Sequence, residues 1–236
     1  MYYQLKGLVL RSRVSAEADK LVTLYTYEWG KITAVVPGAK KIKAKFSAAA
    51  EPVTESEFMV YAKHQSVRPK VTGAKMTESF AALRKDWRNY SIAAYCGEVC
   101  EQLTPFNAEN PAKYLLLQRT WELLGGARNP WRIYTAFVLR FLKLSGYNFY
   151  DYLKGENIAM PEAEMNAIAH LSTLSGEHID KQYELSAASE NRVRRYLDAY
   201  LSLYIARPLS SREFFRKIGN YSKACEPREM AAVKIQ

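Results

Sequence analysis

Apolar and polar positions change their period once along this chain. In the amino-terminal part the clearest stretch has Val22, Leu24 and Thr26 alternating with Thr23, Tyr25 and Tyr27, a turn at Gly30, and Ile32, Ala34 and Val36 alternating again. A period of two on both sides of a glycine predicts a β-hairpin. Gly7 to Leu10 predicts an earlier strand, while Ser56, Phe58 and Val60, then Val67 to Val71, predict two later ones. Five short strands within about 75 residues predict a small closed barrel, because an open sheet of that size would expose its edges.

From about residue 77 the period becomes helical. Ile92, Tyr95, Cys96, Val99 and Leu103 recur at i, i+3, i+4 and i+7 until Pro105. Asn110-Pro111 and Asn129-Pro130 each set a capping residue before a proline suited to the first helical position, with Gly125-Gly126 between the two helices. A fourth helix is expected from Pro161 to about Ser175-Gly176. A fifth carries Val193, Tyr196, Leu197, Tyr200, Leu201 and Tyr204 before Arg207-Pro208, and Ser210-Ser211-Arg212-Glu213 has the capping-box spacing for a short last one. The expected fold is therefore α+β. Residues 1–76 are expected to form a small five-stranded β-barrel, 77–221 a mostly α-helical domain and 222–236 a loose tail.

Charge sharpens this picture. The 236 residues are 48% hydrophobic and carry Lys+Arg 34 against Asp+Glu 24, a net charge of +10. Enough apolar residues are present for real cores, and the excess of cations favours a polyanionic partner. No apolar run nears the roughly 20 residues that span a bilayer, and charges interrupt the opening residues where a signal peptide needs an apolar stretch. No membrane is expected, and a cytoplasmic location is. Up to residue 75 there are 13 Lys+Arg against 6 Asp+Glu, so the barrel holds most of the excess.

The densest cluster is Lys40, Lys41, Lys43 and Lys45, directly after the third strand. Such a loop suits phosphate contact, since each ammonium can displace a condensed counterion; the plainer alternative is a solvated loop. Arg11, Arg13 and Lys31 extend the basic set. Rings beside cations can stack on bases, and Tyr2, Tyr3, Tyr25, Tyr27, Trp29, Phe46 and Tyr61 are at hand, most of them needed to fill the barrel. Tyr25 and Tyr27, with Trp29, are the favoured stacking rings. In the helical part Arg132, Arg140 and Lys143 share one face of the third helix, and Arg192, Arg194 and Arg195 open the fifth. Solvated faces are the default for both groups, and a pocket for an acidic peptide is the alternative.

Catalytic and metal chemistry leaves no mark. Neither a P-loop nor a dinucleotide-binding glycine pattern occurs, and His64, His170 and His178 lack ligand spacing. Cys96, Cys100 and Cys225 are too few for a four-cysteine zinc site, and the first two are expected to be buried reduced thiols. The expectation is a protein that is no enzyme and holds no cofactor or metal.

Gly7, Val9, Leu10, Glu17, Thr26, Gly30, Lys31, Gly38, Ala39, Lys40 and Lys41 stand in the order and spacing of a known pattern. The sequence resembles the bacterial RecO family of DNA repair and recombination mediators over residues 1 to about 219. Leu139 to Tyr147 and Arg207 to Phe215 are similar to the family's helical segments. The resemblance implies an oligonucleotide-binding (OB-fold) barrel that binds single- and double-stranded DNA, annealing of complementary strands, and a location at the nucleoid. It also implies a partnership with RecR in helping RecA replace single-strand-binding protein (SSB), whose carboxy-terminal tail the helical domain would hold. Such a tail needs a guanidinium beside an apolar slot, and two places qualify: Arg132 and Arg140 beside the aromatic third helix, or Arg192 and Arg195 beside Tyr196 and Tyr200. Many members carry four zinc-binding cysteines after the Ser-Gly-Tyr segment; residues 147–164 contain none. Two other readings fit charge and barrel alone. One is an RNA-binding or translation-associated OB-fold protein, the other an adaptor whose helical domain does the work.

Overall fold

A computed structural model of the protein describes residues 1–15, 19–38, 46–64, 68–173, 185–207 and 209. Five strands come first: β1 (Tyr2–Val14), β2 (Lys20–Thr26), β3 (Gly30–Val36), β4 (Glu55–Tyr61) and β5 (Lys70–Glu78). They close into a barrel in the order β1-β2-β3-β5-β4, antiparallel throughout except for β3 against β5. This is the five-stranded barrel expected of an OB fold, and the α+β class holds.

Two strands differ from expectation for readable reasons. β1 is 13 residues long rather than the four from Gly7 to Leu10, because one strand serves two partners. Its first half pairs with β4 and its second with β2, and a bulge between Val9 and Arg11 turns it from one to the other. β5 starts at Lys70 and runs to Glu78, whereas the sequence placed it at Val67 to Val71. From Lys75 to Glu78 it is solvent-exposed, and the small Ala74 with the exposed Met76 makes only a weak apolar alternation there. Inward residues from all five strands, among them Leu5, Leu24, Ile32, Phe58 and Val71, fill the barrel together with Trp29.

Among the described residues six α-helices follow: α1 (Trp87–Leu103), α2 (Pro111–Leu124), α3 (Pro130–Leu144), α4 (Phe149–Gly155), α5 (Glu162–Leu171) and α6 (Ala187–Ser202). The Asn side chains before α2 and α3 cap them as read from sequence, accepting from the Lys113 and Arg132 amides. α4 was not expected. Its seven residues make two turns, too short for a repeat to show, although Asn148 caps it by accepting from the Tyr150 amide. The last capping-box helix and the tail lie outside the described residues.

α3 is the central helix. Ile133 to Leu139, Phe141 and Leu142 are all buried, and it packs on α1, α2, α4, α5 and α6. The solvated face expected along it therefore shrinks to Lys143 and its neighbours. Cys96 and Cys100 are buried free thiols on α1, and burial pushes Cys100 up to about 12 and Cys96 well above its ordinary value. Cys225 is outside the described residues.

Candidate nucleic-acid interface

The Thr26-x-x-x-Gly30-Lys31 turn joins the barrel to the helices. Thr26 Oγ1 donates to the Gly30 carbonyl at 2.9 Å and accepts from the Trp29 amide at 3.0 Å, which fixes the hairpin tip. Gly30 has φ +66°, and a Cβ built on it would lie 2.0 Å from the Ala108 carbonyl oxygen. The chain between α1 and α2 thus passes against a backbone that only glycine can present. Lys31 follows, 7% exposed, its Nζ donating to the Glu101 carbonyl and lying 4.4 Å from the Phe106 ring centroid. Burial pushes its ammonium below the ordinary lysine value, with Glu101 opposing.

Two expected DNA contacts are corrected by this seam. Lys31 points into the helical domain rather than to solvent. Tyr25 is fully buried, its ring in the helical core with Leu8 and Val99 and its hydroxyl donating to the Asn110 carbonyl at 3.3 Å. Neither offers itself to a phosphate or a base. Trp29 lies in the barrel core edge-on to Tyr3, with centroids 4.7 Å apart. Replacing Lys31 by alanine should then cost about 1–3 kcal/mol of stability, as the loss of a buried charged donor does, and leave the salt dependence of DNA binding unchanged. Urea denaturation alongside a salt titration checks both halves; a flatter salt slope would return Lys31 to the binding surface.

What remains open on this side of the barrel is smaller and basic. Arg11 pairs across to Thr23 and Arg13 to Leu21, and Thr23 pairs with Thr33 on β3. Both arginines are exposed, and Thr23, Thr33 and Val35 are partly so. Arg11 keeps 48% of its side chain in solvent, with Glu101 at 3.7 Å. Tyr27 stays accessible at the hairpin tip, 42% exposed and edge-on to Tyr114. Lys40, Lys41, Lys43 and Lys45 fall outside the described residues; the segment leaves β3 through Pro37 and Gly38, beside the start of β5.

The helical arginines are rearranged too. Arg132 Nε donates to Glu190 Oε1 at 2.9 Å, and Asn129 donates to the same carboxylate. A pocket of about 100 Å³ lies there, lined by Trp131, Arg132, Leu171, Val193 and Arg194 among others. The starts of α3 and α6, treated as separate places from sequence, thus meet at one site. Arg194, which stacks over Trp131 at 4.3 Å, belongs to it, while Arg140, Arg192 and Arg195 do not line it. Arg140 is half-buried, with its pKa lowered by desolvation. Arg192 lies 3.4 Å from Glu164, whose side chain is 1% exposed, and Arg195 is exposed.

A second tie across the seam is the carboxylate of Glu55 at the start of β4, only 4% exposed. Its Oε1 accepts from Tyr114 Oη at 2.5 Å and Gln118 Nε2 at 2.8 Å, both on α2, and lies 3.1 Å from Lys6 Nζ. Among the described residues no group of three His, Cys, Asp or Glu side chains could hold a metal ion, and no helix is long and apolar enough to cross a membrane.

Residues 1–80 match the family model described as Recombination protein O N terminal, and residues 84–150 match Recombination protein O C terminal. The chain is 27% identical over 248 residues to the DNA repair protein RecO of Moorella thermoacetica, covering 92% of this chain and 91% of the relative. It is 35% identical over 145 residues to that of Heliobacterium modesticaldum and 32% over 146 residues to that of Symbiobacterium thermophilum. Those two alignments span 61% of this chain and only 52% and 57% of the relatives. With consecutive amino- and carboxy-terminal models meeting where the barrel gives way to the helices, the chain belongs to the RecO family of DNA repair proteins.

Proposed function

We propose that this chain is a non-enzymatic recombination mediator that binds single- and double-stranded DNA, anneals complementary strands and, with RecR, helps RecA replace SSB on single strands. The observation that supports it most is the uncovered patch beside the seam. Arg11 and Arg13 edge a strip of small polar residues on the β1-β2-β3 face, the face on which OB folds receive oligonucleotides. Phosphates would sit on the arginines, and because phosphate contacts carry no sequence information, annealing of unrelated strand pairs is compatible with them. Relatives named DNA repair proteins support DNA over RNA as the polymer. The SSB tail would dock at the pocket between α3 and α6, where a peptide carboxylate has to compete with Glu190 for Arg132.

Titrating labelled single-stranded DNA at several salt concentrations tests the reading. Changing Arg11 and Arg13 together to alanine should weaken binding about tenfold or more at low salt. The slope of log affinity against log salt should become shallower by about 1.4, or 0.7 for each phosphate released. Wild-type protein that fails to bind or to anneal would end the proposal, and an unchanged slope would remove these arginines from the site.

A further inference from the structure

We infer that the outer face of the sheet formed by β1, β4 and β5 is a stacking platform for the bases of single-stranded nucleic acid, with Tyr2 and Tyr61 as its rings and Lys70 beside them. The inference rests on the nucleic-acid reading of the barrel and gives it a second surface, away from Arg11 and Arg13.

The register builds the platform row by row. Tyr2 pairs with Tyr61, and Tyr61 pairs with Lys70, so two rings and an ammonium lie side by side across three strands. The next outward row is Gln4, Met59 and Gly73, and the one after is Lys6, Glu57 and Lys75. Alternation fixes the direction: Tyr3, Leu5, Phe58 and Val60 turn inward to the barrel core, which sends Tyr2, Met59 and Tyr61 outward. Those three are 69%, 40% and 46% exposed, an unusual concentration of large apolar side chains on one small sheet face. The two tyrosine rings stand 5.3 Å apart at 59°, so they are tilted against each other rather than stacked face to face. Gly73 adds nothing above the sheet beside Met59, and a Cβ there would come within 3.3 Å of the Met59 Cβ.

Charge selects the occupant. Lys63, Arg68, Lys70 and Lys75 are exposed at the end of β4 and along the start of β5. In these rows Glu57 has Lys6 and Lys75 as its register neighbours, with the Lys6 ammonium reaching on to Glu55. A second copy seated on a two-fold axis would bring the same cations against each other, and a neutral apolar partner would gain nothing from them. A single strand satisfies both features at once, because its unstacked bases offer flat faces to the rings and its phosphates offer anions to the lysines. Duplex DNA keeps its bases stacked on one another and can use only the cations.

The test is the full-length chain carrying Tyr2→Ala, Tyr61→Ala or both, with Tyr61→Phe as the ring-preserving control, assayed against single-stranded and duplex DNA of equal length. Both rings lie outside the barrel core, so the variants should melt as the wild type does. Each alanine should lower single-strand affinity about 5- to 150-fold per stacked base lost while the salt slope and duplex affinity stay unchanged, and Tyr61→Phe should bind as the wild type. Alanine variants that bind single strands normally would overturn the platform and leave the arginine site standing. An equal loss for duplex and single strand would also overturn it, since phosphates would then be the contact. So would a change of oligomeric state in light scattering with DNA affinity intact, which would assign the face to a second copy. A wild type that binds no nucleic acid removes the reading beneath it as well.

Discussion

Glu55→Ala should destabilise the protein by about 3–5 kcal/mol, the usual cost of removing one partner from a buried, hydrogen-bonded charge group. The carboxylate is one of the places where barrel and helical domain are tied by polar atoms as well as by packing. It accepts from Tyr114 and Gln118 on α2, sits 3.1 Å from Lys6 on β1 and accepts from Thr77 on β5 at 3.4 Å. Alanine would leave the Tyr114 hydroxyl and the Gln118 amide facing a site from which water is largely excluded. Burial and the bonded Glu55 both hold the Tyr114 phenol far above its ordinary value, so it stays a donor at every working pH. Glu55→Gln should cost much less, about 1–2 kcal/mol, because the amide oxygen can still accept from Tyr114 and Gln118 and the amide nitrogen can meet the Thr77 hydroxyl, while the half-exposed Lys6 ammonium turns to solvent. Tyr114→Phe should cost about 1–2 kcal/mol alone and almost nothing on top of Glu55→Ala. Urea denaturation of the three variants and the double mutant measures this, and a Glu55→Ala midpoint equal to wild type would show that the seam does not depend on the carboxylate.

How much of this was legible in the sequence differs by the range of the information. The β2-β3 hairpin was readable because alternation and a turn glycine are local. So were the caps of α2 and α3, where Asn-Pro fixes both the hydrogen bond and the first helical φ. β5 was misplaced because its second half has no buried face, and α4 was missed because two turns give no period. Tyr25 and Lys31 were misplaced for another reason. Alternation shows that Thr23 and Tyr25 turn away from the barrel interior, and nothing in it tells that a second domain covers Tyr25 and leaves Thr23 partly open. Lys31 reads as one more cation until the carbonyl of Glu101 and the ring of Phe106 are seen around it. Tyr2 and Tyr61 were among the rings considered, but their adjacency depends on the pairing of the first strand with the fourth, which separates them by most of the barrel sequence.

Gly30→Ala should be as damaging as the loss of Glu55, and by a different route. The residue opens β3 immediately after the hairpin turn with φ +66°, a conformation that costs an alanine about 1–2 kcal/mol by itself. The larger part is contact. The new methyl would fall 2.0 Å from the Ala108 oxygen and 2.5 Å from its carbonyl carbon, and these are backbone atoms with no rotamer to change. The segment from Thr104 to Asn110 would have to withdraw from the barrel. Withdrawal in turn strains what is anchored beside it: the Asn107 amide bond to the Lys31 carbonyl at 2.9 Å, the Lys31 packing on Phe106 and the Tyr25 hydroxyl on Asn110. A total of about 3 kcal/mol or more is expected, because backbone strain and lost seam contacts add when neither can relax alone. The barrel strands keep their own pairing, so the damage should concentrate at the seam. Hydrogen exchange should show faster exchange at the Asn107 amide and along the start of α2 before it shows any at β4. An alanine variant with wild-type stability and protection would mean that the 104–110 segment can rest elsewhere, and that the spacing of Thr26, Gly30 and Lys31 serves something other than docking the two domains.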